Sequence, residues 1–501
     1  MNWKLIWKSL ADAEMRQKIM LVLGILLVYR ILAHIPIPLS NPETLKQILT
    51  SLFTSQDTPQ FLNFLNVLSG GALANFSIML LGLGPYINAS IIMQLLTRAV
   101  PKLETLNKEG EFGRKKINQM TRILTLPLAL IQAIGVLYIV RTQAGQIAGL
   151  GDIGANTSAV QWVLMVCALT GGSMILMWLG ELITEQNIGN GISLLITVGI
   201  ISTLPQSTAA LVGQVFGGDQ KYNILGLNIP VDKESLQVVA LIVLAVIALI
   251  VIVVRLNEAA RRLTVNYAKR VQGNRTYGGV TTTLPVKLIG AGVVPIIFAV
   301  AFLSVPGFLG QVMVSSASVR LQEIGANLMA WFQTPSSANF VPSDWHFYIY
   351  PATYFVLVFL FTFFYTNITF NAKDIAENLQ KQGGFIEGVR SGVQTEKYLS
   401  KVVNRLTLFG ATAIGLIAVV PIGAEIVFNT PNLAIGGTSV LILVAVSLET
   451  LRKVESQALM ITYSQYDGSD FFQSPDIEEE AREGRWSRVK KLLPGRRPIR
   501  K

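Results

Sequence analysis

The sequence predicts an all-α polytopic membrane protein, with ten transmembrane helices in two inverted-topology halves of five and a short half-length helix ahead of the second span. Three observations predict it. Of 501 residues, 51% are hydrophobic and 14% charged, against roughly 25% charged in a soluble globular protein, and mean hydropathy is +0.50. The apolar residues collect into ten runs of membrane-crossing length. Threaded alternately through a bilayer, those runs leave 35 of the 41 Lys and Arg residues on one side. A soluble enzyme is excluded at this level.

A helix rising about 1.5 Å per residue needs about 20 apolar residues to cross a hydrocarbon layer of roughly 30 Å. Runs of that kind occupy residues 19–35, 76–97, 123–140, 160–179, 188–204, 236–254, 288–306, 347–370, 406–421 and 433–451. The first ends at Arg30 and an Ile-Pro-Ile-Pro stretch, not at a small-residue cleavage site, and so reads as a retained helix. Residues 61–74 form a largely apolar stretch with Asn63 and Asn66 on one side, broken by Gly70-Gly71 and too short to span. Such a piece either lies at the outer interface or re-enters the membrane shielded by protein.

The basic residues then orient the chain. The N-terminal segment 1–18, the loops 98–122, 255–287 and 371–405, and the tail share one side, while Lys46, Arg141, Lys221, Lys233 and Arg320 fall on the other. Both termini are expected in the cytoplasm. Arg30 sits near the outer end of the first helix, where its side chain either snorkels to the interface or serves a function. The organisation expected is a first half at 19–204, an outer loop at 205–235, a second half at 236–463 and a charged tail at 464–501.

Five spans per half force opposite topologies, and inverted repeats place the functional centre between the halves, at Gly/Pro-interrupted helices in matching positions. Such positions exist. Gly82-Leu83-Gly84-Pro85 in the second span matches Gly292-Val293-Val294-Pro295 in the seventh, each with an isoleucine two residues past the proline, Ile87 and Ile297. In the fifth span Ile196 lies three residues past Ser193, as Ile442 lies three past Ser439 in the tenth. All four isoleucines fall near mid-span, and Leu83 sits one turn from Ile87 on the same face. Four branched apolar residues at one depth either make a constriction or pack as ordinary core and lipid-facing residues.

Chemistry is scarce. The one cysteine, Cys167, rules out an internal disulfide, and His34 and His346 match no metal or triad spacing. No phosphate-binding glycine loop or zinc motif occurs. Glu181, Glu185, Glu425 and Glu449 lie near span ends, not at mid-membrane, which weakens an ion-coupled transporter reading. The loop from Leu263 alternates apolar and polar residues, turns near Gln272 and reads as a projecting β-hairpin carrying Arg261, Arg262, Lys269, Arg270 and Arg275. A glycine-rich loop presents Arg390. Beyond positive-inside topology, these residues suit an anionic partner such as RNA phosphate or an acidic protein face.

The motifs Ala33-His34-Ile35-Pro36-Ile37-Pro38, Leu68-Ser69-Gly70-Gly71-Ala72-Leu73, the run Gly84 to Gln94, Met177-Trp178-Leu179-Gly180-Glu181, the run Asn187 to Ser193, Val265 to Arg270, and Gly436 to Ser439 resemble the SecY family, large subunits of the bacterial Sec protein-conducting channel. The resemblance implies that Leu83, Ile87, Ile196, Ile297 and Ile442 form an apolar pore ring. It implies that 61–74 is a re-entrant plug, with Phe64, Leu65, Leu68, Gly70 and Gly71 among its residues. It further implies a lateral gate at Asn88, Ile92 and Val305, and docking of the ribosome or the SecA motor at Lys269, Arg270, Arg275 and Arg390. Small SecE and SecG subunits, signal peptides, nascent chains and the lipid bilayer of the bacterial plasma membrane are the partners it implies, with no cofactor and no enzymatic activity. Without the resemblance, an inverted-repeat secondary transporter or a non-transporting docking protein for ribosomes would remain open.

Overall fold

The computed structural model describes residues 13–37, 66, 69–72, 76–146, 158–216, 221–224, 227–230, 233–267, 270–272, 275–277, 279, 281–314, 318–335, 340–428 and 437–467. In chain order these form α1 (Ala13–Leu32), α2 (Gly84–Ala99), α3 (Pro101–Lys108), α4 (Glu111–Gln146), α5 (Ala159–Glu185), α6 (Gly191–Phe216), β1 (Lys221–Ile224), β2 (Leu227–Pro230), α7 (Lys233–Glu258), β3 (Ala260–Tyr267), β4 (Arg270–Gln272), β5 (Arg275–Tyr277) and β6 (Thr281–Lys287). There follow α8 (Val294–Val314), α9 (Val319–Phe332), α10 (His346–Thr369), α11 (Ala372–Lys381), β7 (Gly384–Ile386), α12 (Val393–Phe428) and α13 (Gly437–Asp467).

Each apolar run expected to span overlaps a helix: α1, α2, α4, α5, α6, α7, α8, α10, α12 and α13. Among the described residues, six stretches are long and apolar enough to cross a membrane, namely Glu111–Arg141, Ala159–Glu185, Gln237–Glu258, Val294–Val314, His346–Lys381 and Val393–Ala424, with Gly191–Pro205 a shorter apolar helix. Leu241, Leu244, Ile247 and Val251 of α7 point their apolar bulk outward, as do Ile123, Leu126, Leu130 and Ile134 of α4. An apolar outer face of this kind belongs in lipid. The chain is a multi-pass membrane protein.

Two expectations about boundaries need correction. The second span was expected over 76–97, but 76–83 is a run of turns and the helix starts at Gly84. Phe76 and Gly82 have φ of 45° and 57°, left-handed values that end a right-handed helix. This segment pairs instead with the chain leaving α1. Ile37 N donates to Phe76 O at 3.0 Å, Ile78 N to Ile35 O at 3.1 Å, and the Ser77 hydroxyl to Leu32 O at 2.9 Å. Spans expected to end near Pro205, Pro306 and Pro421 run on to Phe216, Val314 and Phe428. A proline removes one backbone bond, and neighbouring helices and local adjustment re-satisfy the freed carbonyl.

The all-α expectation holds for the spans only. Among the described residues there are also two two-stranded antiparallel ribbons, β1-β2 and β4-β5, and a three-stranded sheet in the order β6-β3-β7. The hairpin expected from Leu263 onward is present, since β3 pairs with β6 and Gln272 faces Arg275 across β4-β5. The added strand is β7, with Val265 opposite Ile386 and Tyr267 opposite Gly384. It welds the two loops 255–287 and 371–405 into one body. Leu263, Val265, Val286, Ile386, Leu399, Val402 and Val403 bury their side chains together beneath it.

Candidate functional site

The two repeated motifs fold alike. Gly82 and Gly292 have φ of 57° and 62°, and a helix begins two residues later in each case, at Gly84 and Val294, with Pro85 and Pro295 in the second helical position. Proline suits the first turn because its missing N–H would have no intrahelical partner there. Ile87 and Ile297 are therefore both fourth in their helices, each donating its N–H one turn back, to Leu83 and Val293 at 2.9 and 3.3 Å. The second pair keeps its spacing. α6 begins at Gly191, with Ser193 and Ile196 in its first two turns, and Ser439 and Ile442 keep the same three-residue separation in α13, described from Gly437 onward.

These helices also meet. α2 packs on α8 and α6 packs on α13, so matched elements from opposite halves of the chain face each other. Leu83, Ile87, Ile196, Ile297 and Ile442 are all buried and belong to one apolar cluster that draws on both halves. Gly82 itself is tied down through its carbonyl, which accepts the Ser173 hydroxyl of α5 at 3.2 Å. Close backbone contact seats α5 as well. A Cβ on Gly172 would lie 2.0 Å from Ile78 O, and one on Gly191 would lie 1.9 Å from Gly180 O.

Of the residues expected at a lateral gate, Asn88 and Ile92 lie one turn apart on α2 and Val305 lies on α8. Asn88 is half-buried, while Ile92 and Val305 are 38% and 41% exposed, at the outer edge of the same helix pair. At one end of this region Arg98, near the end of α2, donates to the Asn367 carbonyl of α10 at 3.0 Å.

Of the residues expected in the plug, Phe64, Leu65 and Leu68 lie outside the described residues. Gly70 and Gly71 turn left-handed, at φ 64° and 81°, as a glycine break requires. Of the docking residues, Lys269 lies outside the described residues, and Arg270 and Arg275 occupy β4 and β5. Arg390 is exposed four residues past β7, where its carbonyl accepts the Thr395 hydroxyl at 2.9 Å. Flanking turns at Gly388 and Gly392, with φ of 77° and 98°, shape that loop. At the end of β6, partial burial and the nearby Arg452 guanidinium push the Lys287 ammonium below its usual range, while Glu449 pulls it back.

Two arrangements carried no local sequence signal. Arg122 of α4 grips Glu181 of α5 with two contacts, Nε to Oε1 and Nη2 to Oε2, both at 2.7 Å. Arg30 of α1 donates to the Gly70 carbonyl and to the Ser202 hydroxyl of α6.

Residues 77–451 match the family model described as SecY. A curated relative, the protein translocase subunit SecY of Streptomyces galbus, is 38% identical over 461 residues, covering 91% of this chain and 98% of the relative. Among solved structures, one described as the structure of a protein conducting channel shares the fold with a TM-score of 0.57 at 18% identity, covering 86% of this chain and 90% of its own. The idle yeast Ssh1 complex bound to the yeast 80S ribosome gives the same TM-score of 0.57 at 18% identity, covering 86% and 88%.

Proposed function

The chain belongs to the SecY family, translocase subunits that are channels and not enzymes, and from that premise we propose how its own residues pass a polypeptide. Leu83, Ile87, Ile196, Ile297 and Ile442 form the waist of an hourglass between two inverted five-helix halves, 19–204 and 236–463. The observation that carries this reading is the shared register: Ile87 and Ile297 stand at the same helical position, and the paired helices α2-α8 and α6-α13 pack against each other.

Apolar walls suit that task. A waist without polar partners dewets and blocks ions at rest, yet closes as a gasket around any unfolded chain without selecting its sequence. The 61–74 element is the plug on the outer side. Asn88, Ile92 and Val305 line a lateral gate between α2 and α8. A segment in transit partitions there by composition, because Leu or Ile at a helix centre favours lipid by about 0.3 to 0.6 kcal/mol while Lys or Asp opposes it by about 2.5 to 3.5 kcal/mol.

Driving energy comes from a partner. The sheet β6-β3-β7, the β4-β5 hairpin with Arg270 and Arg275, and the neighbouring Lys269 and Arg390 form the docking face for the ribosome or the SecA motor. A ribosome is supported by the ribosome-bound neighbour sharing this fold. In this reading the chain crosses the plasma membrane of a bacterium ten times, both termini lie in the cytoplasm, and SecE and SecG subunits stand beside the channel. Site-specific crosslinking tests the reading: a photoreactive residue at position 297 is expected to capture a stalled nascent chain, and capture confined to lipid-facing positions would overturn it.

A further inference from the structure

Arg30 is a charged residue in the last turn of the apolar helix α1. A charge within a membrane helix is costly unless it finds partners. Here Nη1, which carries two hydrogens, donates to the Gly70 carbonyl at 2.9 Å and to the Ser202 hydroxyl at 2.8 Å. Beside it the Tyr29 hydroxyl donates to the Ser69 carbonyl at 3.0 Å. Tyr29 is 1% exposed, so this contact is sealed within the protein.

The Ser202 hydroxyl lies 2.6 Å from the Gly199 carbonyl of its own helix and 3.1 Å from the Gly70 carbonyl. A hydroxyl has one hydrogen to give. The shorter bond takes it, which leaves Arg30 as the principal donor holding Gly70. Backbones also meet at this point. A Cβ on Gly70 would lie 2.6 Å from Gly199 Cα and 2.6 Å from the Tyr29 hydroxyl, and a Cβ on Gly199 would lie 2.9 Å from Gly70 Cα. Neither glycine leaves room for a methyl group, and the left-handed turn at Gly70 and Gly71 aims the Ser69 and Gly70 carbonyls at α1.

We propose that Arg30 is a positioning residue that, with Tyr29 and Ser202, fastens the 69–72 turn to α1 and α6. Residues 69–72 then stay joined to α1 and α6 while the channel passes a chain. The inference rests on reading 61–74 as the plug. It gives the intramembrane charge a task that snorkelling does not require, since both of these bonds run to protein.

The test uses the full-length channel in membranes, with the exposed Cys167 replaced by serine and a reporter thiol at Ala72→Cys, a position 1% exposed. The rate of maleimide labelling is read. Loss of a hydrogen bond to a charged group shifts an opening equilibrium by about ten- to a hundredfold, and Arg30→Ala is expected to raise labelling by that factor. Ser202→Ala, which removes no charge and keeps the test open should Arg30→Ala fail to accumulate, is expected to raise it several-fold. Arg30→Lys, which keeps a cationic donor, is expected to restore most of the protection. Unchanged labelling in these variants overturns the fastener. Resting ion conductance of the same membranes separates the two readings: raised labelling at unchanged conductance keeps the fastener and overturns the plug, and raised conductance at unchanged labelling does the reverse.

Discussion

Ile87 and Ile297 occupy the same place in two helices from opposite halves of the chain, each fourth from a helix start that follows a left-handed glycine. Ile196 and Ile442, each three residues past a serine, lie on the packed pair α6 and α13. If these four side chains are the ion seal, removing them together opens it. The quadruple change of Ile87, Ile196, Ile297 and Ile442 to glycine is expected to give an ion-leaky membrane. Single-channel recording of the reconstituted channel checks this, and unchanged conductance would remove the four from the waist.

The turn that sets this register depends on backbone conformation. At Gly292, φ is +62° and a Cβ would meet only Glu449 Oε2, at 3.9 Å, so the penalty for alanine is conformational and not steric. A left-handed L-residue costs about 1 to 2 kcal/mol. Gly292→Ala is expected to destabilise the protein by that amount. The control is Gly290→Ala, whose Cβ would sit 3.8 Å from Thr366 Cγ2 without a left-handed backbone, and which is expected to be near neutral. Thermal unfolding in detergent compares the two, and equal stabilities would contradict the strain argument.

What the sequence made legible follows from locality. The apolar runs, the paired glycine-proline motifs and the hairpin around Gln272 are each written within a short stretch, and each appears in the structure as helix, turn or ribbon. Helix ends were less readable. Pro205, Pro306 and Pro421 resemble stops, but the helices pass through each of them. Distant contacts outside the repeated motifs left no trace. Nothing near Gly384 announces that it will lie beside Tyr267, and neither Arg122 nor Arg30 has its partner on its own helix.

The gate reading is tested by covalent closure. Asn88 and Val305 stand on the packed pair α2 and α8. With Cys167 replaced, cysteines at these two positions are expected to crosslink under oxidation and to halt translocation until reduced. Absence of a crosslink while both thiols accept a maleimide would place the opening elsewhere.

Arg122 and Glu181 bind face to face at 2.7 Å, with the Glu181 side chain 16% and the Arg122 side chain 45% exposed. Screening at the half-exposed arginine keeps the expected coupling at about 1 kcal/mol. A double-mutant cycle of Arg122→Ala and Glu181→Ala, read by thermal unfolding, is expected to show that coupling. The swapped pair Arg122→Glu with Glu181→Arg should recover part of the loss seen in either reversal alone. Additive single effects would mean that α4 and α5 are held by apolar packing and that the ion pair is incidental.

Arg390 combines a fixed backbone with an exposed side chain. Its carbonyl is held by Thr395, its loop is shaped by Gly388 and Gly392, and β7 anchors that loop to the sheet through Val265 and Tyr267. Reversing its charge therefore alters the face presented to a partner without disturbing the fold beneath. Placing like charges against each other at an interface costs several kcal/mol, so Arg390→Glu is expected to slow SecA- or ribosome-driven export at least about tenfold. Assembly of the channel, followed by detergent-solubilised size and thermal stability, is expected to stay as in the parent. Normal export by the variant would remove Arg390 from the docking face, whereas loss of assembly together with export would show that the residue supports the sheet and not the partner.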